Sequence, residues 1–512
     1  MGQRFGFSFV LIVFITALIL FFNLGGIALT DPDETVYAET AREMIQFNDY
    51  LSPRIYGEFW YDKPPMYYWL TAGSFHLFGD GEFAARFPSA LLGVFCVLYV
   101  YFAGARLFNE RAGLAGALTL ATSIEFFYLG KGAVTDMTLN LFLTVALLAF
   151  IERKYYLLYV FAALATVTKG PIGLVFPGVI IFLYLAMTRN FSSLLKMKLP
   201  IGIIIYAVIA VPWYALMYQH HGTVFIDTFL GFHNLTRFTT PEHPETSAWF
   251  FFVPILLVGF VPWTSVMIQA IWRALTEGNQ YRRPLAFLMI WAAFVFIFFS
   301  VSQTKLVSYI LPMFPPLAMI VGWYLDRIWD LKRGSRPFTW PVLLTVFGAL
   351  LSFALVSLAK SMPDVMQGAV AAALVFTVMI IGVWHAIFRW NIGRAFWIQV
   401  LGMAVFSIIL ITLLLPQASP MLQSREVAKE FVSQYDGNSP VYVEKQLHPG
   451  FAYYSGCYGT EIKVGELKTV IDANKRAYFA VRHSEYKLLN EADKQKVTTL
   501  AEFGDKMLLL KP

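Results

Sequence analysis

Asp31-Pro32-Asp33-Glu34-Thr35-Val36-Tyr37-Ala38-Glu39 follows the first strongly apolar segment of a 512-residue chain in which only 14% of residues are charged. Carboxylates beside a bilayer are costly to desolvate, so a cluster of them marks a candidate functional site. A solvated helix start is the simpler account, with Asp31 as cap and Asp33 and Glu34 in the first turn. That account covers two carboxylates comfortably and a third with effort. Other polar residues recur at ends of apolar runs: Lys63, Lys131, Asp136, Lys169, Arg237, Lys305 and Tyr309. Capping also explains Asp136 taken alone, and snorkelling explains any single lysine. Lys305 and Tyr309 have the spacing that shares one helix face. As a set, cations and a tyrosine hydroxyl can bind a lipid phosphate by charge-assisted hydrogen bonds and stabilise it as it leaves. A carboxylate can orient or deprotonate an acceptor. A lipid carrier, a phosphate leaving group and chemistry on the outer face, where nucleotide sugars are absent, predict sugar transfer from a polyprenyl phosphate.

The elements that must position these residues are membrane spans. Hydrophobic residues make up 58% of the chain, and apolar runs recur from 7–29 to 395–415. About thirteen of them approach the length needed to cross a bilayer. Arg4, Arg106, Arg111, Arg153, Arg189, Arg273, Arg282, Arg327 and Arg389 fall on one side of these runs, whereas the short loops opposite carry few cations. The positive-inside rule then places the N-terminus in the cytoplasm, and an odd span count leaves the C-terminal region outside. The net charge of +6 reflects this topology and implies no nucleic-acid partner. The location expected is the bacterial inner (plasma) membrane. Cys96 lies in a span and Cys457 in the outer tail, so no disulfide is expected.

Residues 1–419 read as an α-helical polytopic membrane domain with two long outer loops, 30–83 and 219–248. The first starts helical from Glu34 to Phe47 and continues through Lys63-Pro64-Pro65 into an aromatic amphipathic stretch, Met66 to Phe78. Such a stretch suits a helix lying in the membrane interface. Residues 420–512 are more charged and read as a small extracytoplasmic (periplasmic) α/β domain. Strands are expected at Pro440 to Val443, Phe451 to Tyr454, Ala477 to Val481 and Lys506 to Leu510, with helices at Ser424 to Tyr435 and Asn490 to Val497.

Asp-Glu-x-x-Tyr-Ala-Glu after the first span, Lys63-Pro64-Pro65, Thr168-Lys169-Gly170, Arg237-Phe238, Pro262-Trp263 and Lys305-Leu-x-x-Tyr309 occur in the order seen in membrane glycosyltransferases of the C-type (GT-C) fold. The chain resembles the lipid A aminoarabinose transferases and, more distantly, the protein O-mannosyltransferases, over about residues 1–330. The resemblance implies a polyprenyl (undecaprenyl) phosphate sugar donor and a lipid or glycolipid acceptor, with lipid A favoured. It makes Asp33 the principal catalytic or acceptor-orienting carboxylate, with Asp136 nearby and Glu34 as the alternative. Lys63, Arg237 and Tyr309 would hold the donor phosphate, Lys305 would stand beside them, and Tyr37 would line the cavity. Val36 replaces an arginine usual in the aminoarabinose group, and His233-Asn234 replaces a Glu-His pair. These departures leave the sugar and the acceptor open.

Two other functions fit parts of the sequence. A carrier-lipid transporter would bind the same phosphate, yet it should show matching broken halves and mid-membrane charges, and no internal repeat is evident. A non-catalytic scaffold leaves the sidedness of Asp33, Asp136, Lys63 and Arg237 unexplained. No cofactor is assigned. A divalent metal is the one open alternative, with His220, His221, His233 and His243 near Glu242 and Glu245, although adjacent histidines are poorly spaced for chelation from a helix.

Overall fold

The computed structural model describes residues 2–236, 239–240, 248–276, 280–332 and 336–512. It divides into two compact units, the first formed by Met1–Phe22, Tyr61–Tyr67 and Pro88–Leu410, the second by Asn23–Trp60, Tyr68–Phe87 and Ile411–Pro512.

The first unit is helical. Among the described residues, 7 helices of the chain are long and apolar enough to cross a membrane, rising to 9 if each of two bent pairs counts as one span. Four shorter apolar helices, Gly6–Phe21, Asp136–Ile151, Tyr155–Lys169 and Ile172–Met187, complete the set, so every expected span has a helical counterpart. Two expected straight spans are broken. Glu110–Ala121 and Ile124–Gly130 meet at 65°, and Phe252–Gly259 and Thr264–Thr276 at 108°. At the first elbow the Thr122 and Ser123 hydroxyls donate to the carbonyls of Leu118 and Leu120, 2.6 and 2.8 Å away, competing with the helix for its own acceptors. At the second, Pro262 has no N–H to continue a helix. The elbows are pinned to each other: Trp263 Nε1 donates to Thr122 Oγ1 (2.9 Å), and the Ile124 N–H to the Val261 carbonyl (3.3 Å).

The second unit carries the expected helix near Glu34, here Asp33–Gln46, and most of the aromatic helix Met66–Phe78. A hairpin pairs β1 (Arg54–Ile55) with β2 (Glu58–Phe59). Its turn, Tyr56-Gly57, has positive φ at both residues, as the tightest hairpins require. A five-stranded sheet follows, built from β3 (Val441–Glu444), β4 (Thr460–Ile462), β5 (Ala477–Arg482), β6 (Thr498–Phe503) and β7 (Lys506–Lys511), in the order β4-β3-β5-β7-β6. The β3 strand runs parallel to β4 and β5, and β7 antiparallel to β5 and β6. Side chains alternate along β5: Tyr478 and Ala480 pack with Phe431 and Phe451 on one face, Phe479 and Val481 with Leu467 and Ile471 on the other. A small α/β fold results, as expected.

Three details differ from expectation. Phe451 to Tyr454 lies inside a helix, His448–Ser455, which has proline in its first turn and ends at the left-handed Gly456. The aromatic run reads as a strand, but these end signals decide it. The helix expected at 490–497 is confined to Glu491–Lys494, and β4 and β6 lacked the alternation that would have marked them. Cys96 and Cys457 are both free.

Candidate active site

In the first unit a cavity of about 540 Å³ is lined by Asp62, Lys63, Lys169, His233, Ser302, Thr304 and Tyr309, with Pro171, Ile172, Val175, Phe229, Leu230, Phe298 and Phe299 as its apolar wall. Each polar group is held by an identifiable local device. Lys169 is the last residue of helix Tyr155–Lys169, which stops because Gly170 turns with φ +76, a backbone that residues with a Cβ adopt only at a cost. Pro171 then opens the next helix. Lys169 Nζ donates to Asp136 Oδ1 at 2.6 Å and lies 4.8 Å from the centre of the Tyr309 ring. Asp136 is therefore the buried counter-ion of a cavity lysine. This ion pair gives the carboxylate a role beyond the capping that its place at a helix start suggested.

Asp62 organises the opposite wall. Its Oδ2 accepts from Lys63 Nζ at 2.8 Å, and its Oδ1 lies 2.7 Å from His233 Nδ1. The Asp62 and Lys63 side chains are 14% and 17% exposed, so the pair is only thinly screened by solvent. His233 belongs to a π-helical stretch, Asp227–Thr236, of a kind that often marks functional positions. An aromatic stack supports that stretch: Phe225 and Phe229 are nearly parallel at 5.6 Å, and Trp213 stands edge-on to both. Tyr309 packs on Phe299 at 5.1 Å.

Lys63 and Tyr309 thus meet in one cavity, together with Lys169, which the sequence marked as a boundary residue but did not name for the site. Asp62 and His233 were missed as partners, and the one signal for Asp62 is its place immediately before Lys63. Lys305 does not share a helix face with Tyr309. The helical turns there run Val307–Met313, Leu306 before them is extended, and Lys305 is buried, only 1% exposed. Lys131 has a structural task, its Nζ donating to the carbonyls of Leu20 (3.1 Å) and Phe22 (2.8 Å) at the end of the first helix. Arg237 lies outside the described residues, as do Glu242, His243 and Glu245. Among the described residues no group of three or more His, Cys, Asp or Glu could hold a metal ion.

The remaining expected site residues belong to the second unit. Asp33 begins helix Asp33–Gln46 and is exposed. Glu34 is buried and committed on both oxygens: Arg86 Nε reaches Oε1 at 2.8 Å, Arg86 Nη2 reaches Oε2 at 2.6 Å, and the Thr30 N–H donates to Oε2 at 2.8 Å. Arg86 also donates to the carbonyls of Leu24, Ile27 and Ala28. This bidentate pair fixes the chain entering the helix, a structural duty that suits Glu34 better than proton transfer. Tyr37 is half-buried, its ring 5.8 Å from Tyr68. Asp31, expected as a helix cap, instead accepts from the Thr35 hydroxyl (3.0 Å) and the Ser424 hydroxyl, while Pro32 takes the cap position without a side-chain bond.

Two cations, a tyrosine and an imidazole around an apolar-walled cavity can hold a phosphate that carries an apolar chain. The family model described as dolichyl-phosphate-mannose-protein mannosyltransferase matches residues 62–215. An uncharacterised protein of Aquifex aeolicus is 32% identical over 351 residues, covering 66% of this chain and 69% of that one. The undecaprenyl phosphate-alpha-4-amino-4-deoxy-L-arabinose arabinosyl transferase of Edwardsiella ictaluri is 30% identical over 321 residues, 60% of this chain and 57% of its own length. The chain therefore spans less than two thirds of that transferase. The crystal structure of ArnT from Cupriavidus metallidurans bound to undecaprenyl phosphate superposes with a TM-score of 0.80 at 23% identity, over 98% of both chains. The chain has the fold of that structure, the C-type membrane glycosyltransferase fold, with many apolar helices and a small C-terminal sheet domain.

Proposed function

We propose that the chain transfers a sugar from a polyprenyl phosphate to a lipid acceptor outside the cytoplasm, with 4-amino-4-deoxy-L-arabinose on undecaprenyl phosphate as donor and lipid A as acceptor. The observation that carries this reading is the convergence of Lys63, Lys169 and Tyr309 on one cavity with an apolar wall. In this reading the cations hold the phosphate through charge-assisted bonds and stabilise it as it departs with its prenyl chain. Asp136 holds Lys169 at the cavity, and Asp62 does the same for Lys63 and His233. Arg237 is a further phosphate ligand and Tyr37 a lining residue. Asp33 is the principal carboxylate. Toward an anionic phosphate acceptor it orients the nucleophile or stabilises positive charge on the sugar, and toward a hydroxyl it takes the proton. Residues 1–419 are the membrane domain and 420–512 a periplasmic domain of an inner-membrane protein whose N-terminus is cytoplasmic.

Mass spectrometry of envelope lipids from cells with and without the protein tests the acceptor. Lipid A gains an aminoarabinose residue only in cells that express the protein, in this reading. The same sugar mass on another glycolipid, polysaccharide or protein would move the acceptor while keeping the chemistry. No sugar-dependent difference in any envelope component would overturn the proposal.

A further inference from the structure

The two pinned elbows enclose a second cavity, of about 350 Å³, lined by Glu125, Tyr128, Ile255, Val258, Gly259 and Val307 among others. Apart from Glu125 its lining is apolar except at the Tyr128 hydroxyl. Tyr128, Val258 and Val307 are 59%, 48% and 48% exposed, which opens the cavity at the outer surface of the helical unit. Glu125 is only 3% exposed, and neither carboxylate oxygen has a hydrogen-bond partner among the described residues. Among the described residues the charged group within electrostatic reach is Asp136, an anion already paired with Lys169. The carboxylate is accommodated by a missing side chain opposite: a Cβ on Gly259 would fall 2.5 Å from Glu125 Oε2. A buried carboxyl without donor or cation is costly anywhere, and more so at a span's elbow. Trp263, Thr122 and Ile124 hold the elbows so that the cost is not relieved by a local shift.

We propose that this cleft is a binding site for a membrane amphiphile that carries a primary or secondary ammonium on an apolar chain. The ammonium donates to Glu125 and cancels its charge, while the chain lies along Ile255, Val258 and Val307. Two unpartnered carboxyl oxygens in an apolar cleft, with a second carboxylate as the charged neighbour, favour a cationic donor: an ammonium can donate to both oxygens, whereas an anionic headgroup adds like charge and donates to neither. The site is separate from the Lys63–Lys169 cavity, and its occupant is independent of the sugar donor proposed above.

The test uses purified wild-type protein in phosphatidylcholine nanodiscs, a lipid whose headgroup has no N–H to donate. Photoreactive dodecylamine and photoreactive dodecanoic acid, each bearing a diazirine on the chain, are crosslinked and the adducts mapped by peptide mass spectrometry. The amine is expected on peptides containing Tyr128 or Ile255 to Val258, about tenfold above the acid, the margin that one charge-assisted hydrogen bond supplies. Excess unlabelled dodecylamine removes the adducts. Glu125→Gln and Gly259→Ala each lower amine labelling at these peptides by a similar factor. Equal labelling by the acid in the wild-type protein overturns the proposal without recourse to any variant. So do undiminished labelling of Glu125→Gln and adducts confined to other regions.

Discussion

Lys169 Nζ lies 2.6 Å from Asp136 Oδ1, so the last residue of one span is locked to the first residue of another. The side chains are 10% and 11% exposed, which makes this a buried pair at the cavity wall. Lys169→Met strands the carboxylate in a poorly solvated place. It is expected to cost about 3–5 kcal/mol of stability, as removal of one member of a buried pair does. Lys169→Met combined with Asp136→Leu should regain most of the melting temperature in detergent and none of the transfer activity. A double variant that melts as low as Lys169→Met would show that the pair's charge is not the source of the loss.

Lys63 and Tyr309 line the same cavity although the chain separates them widely. If Lys63 holds the donor phosphate as proposed, Lys63→Ala should raise the KM for donor about ten- to a hundredfold. Kinetics at varied donor concentration check this. An unchanged KM would take Lys63 out of donor binding.

Glu34 and Asp33 are neighbours with opposite expectations. Glu34→Ala leaves the buried Arg86 charge without its carboxylate, so the protein should lose several degrees of melting temperature before any effect on chemistry is read. Asp33→Asn removes charge from an exposed residue, so the melting temperature should stay within a degree or two while transfer falls about a hundredfold or more. Near wild-type transfer by Asp33→Asn would move the catalytic role elsewhere.

Stability of the second unit should depend on pH in a definite direction. Burial holds the Asp31 carboxyl up at about 7, although hydrogen bonds from Ser424 and Thr35 pull it down. Burial likewise raises Glu39 to about 7 against the pull of Arg42. Carboxyls unfold to an ordinary range near ~4. Between that range and about 7 the folded state binds more protons than the unfolded one, so stability falls as pH rises. The melting temperature should therefore be higher at mildly acidic pH than at mildly alkaline pH, with most of the change complete once the pH has passed through 7. Asp31→Asn should flatten the slope. A melting temperature that climbs through the same interval would contradict the assignment.

Much of this was legible from local pattern. Long apolar runs marked the spans. Lys63-Pro64-Pro65 and Thr168-Lys169-Gly170 marked segments that do reach the cavity. What was not legible depends on contacts between distant positions. Nothing local pairs Asp62 with His233, which lie 2.7 Å apart, and nothing local tells Glu34 from Asp33 until Arg86 is seen bound to one of them. The elbows escaped notice because hydropathy averages over a window and is blind to a bend at Thr122-Ser123 or Pro262. The Lys305–Tyr309 spacing failed as a helix argument because Leu306 is extended and the turns begin only at Val307.

The central claim is sugar transfer from a polyprenyl phosphate, and purified protein with synthetic undecaprenyl phosphate-linked aminoarabinose and lipid A tests it directly. Mass spectrometry should show lipid A heavier by one aminoarabinose residue and free undecaprenyl phosphate released in equal amount. Both should fall together in Lys63→Ala and Asp33→Asn. Binding of the carrier with no sugar transferred to lipid A or to any other envelope acceptor, by active and correctly folded protein, would contradict the account.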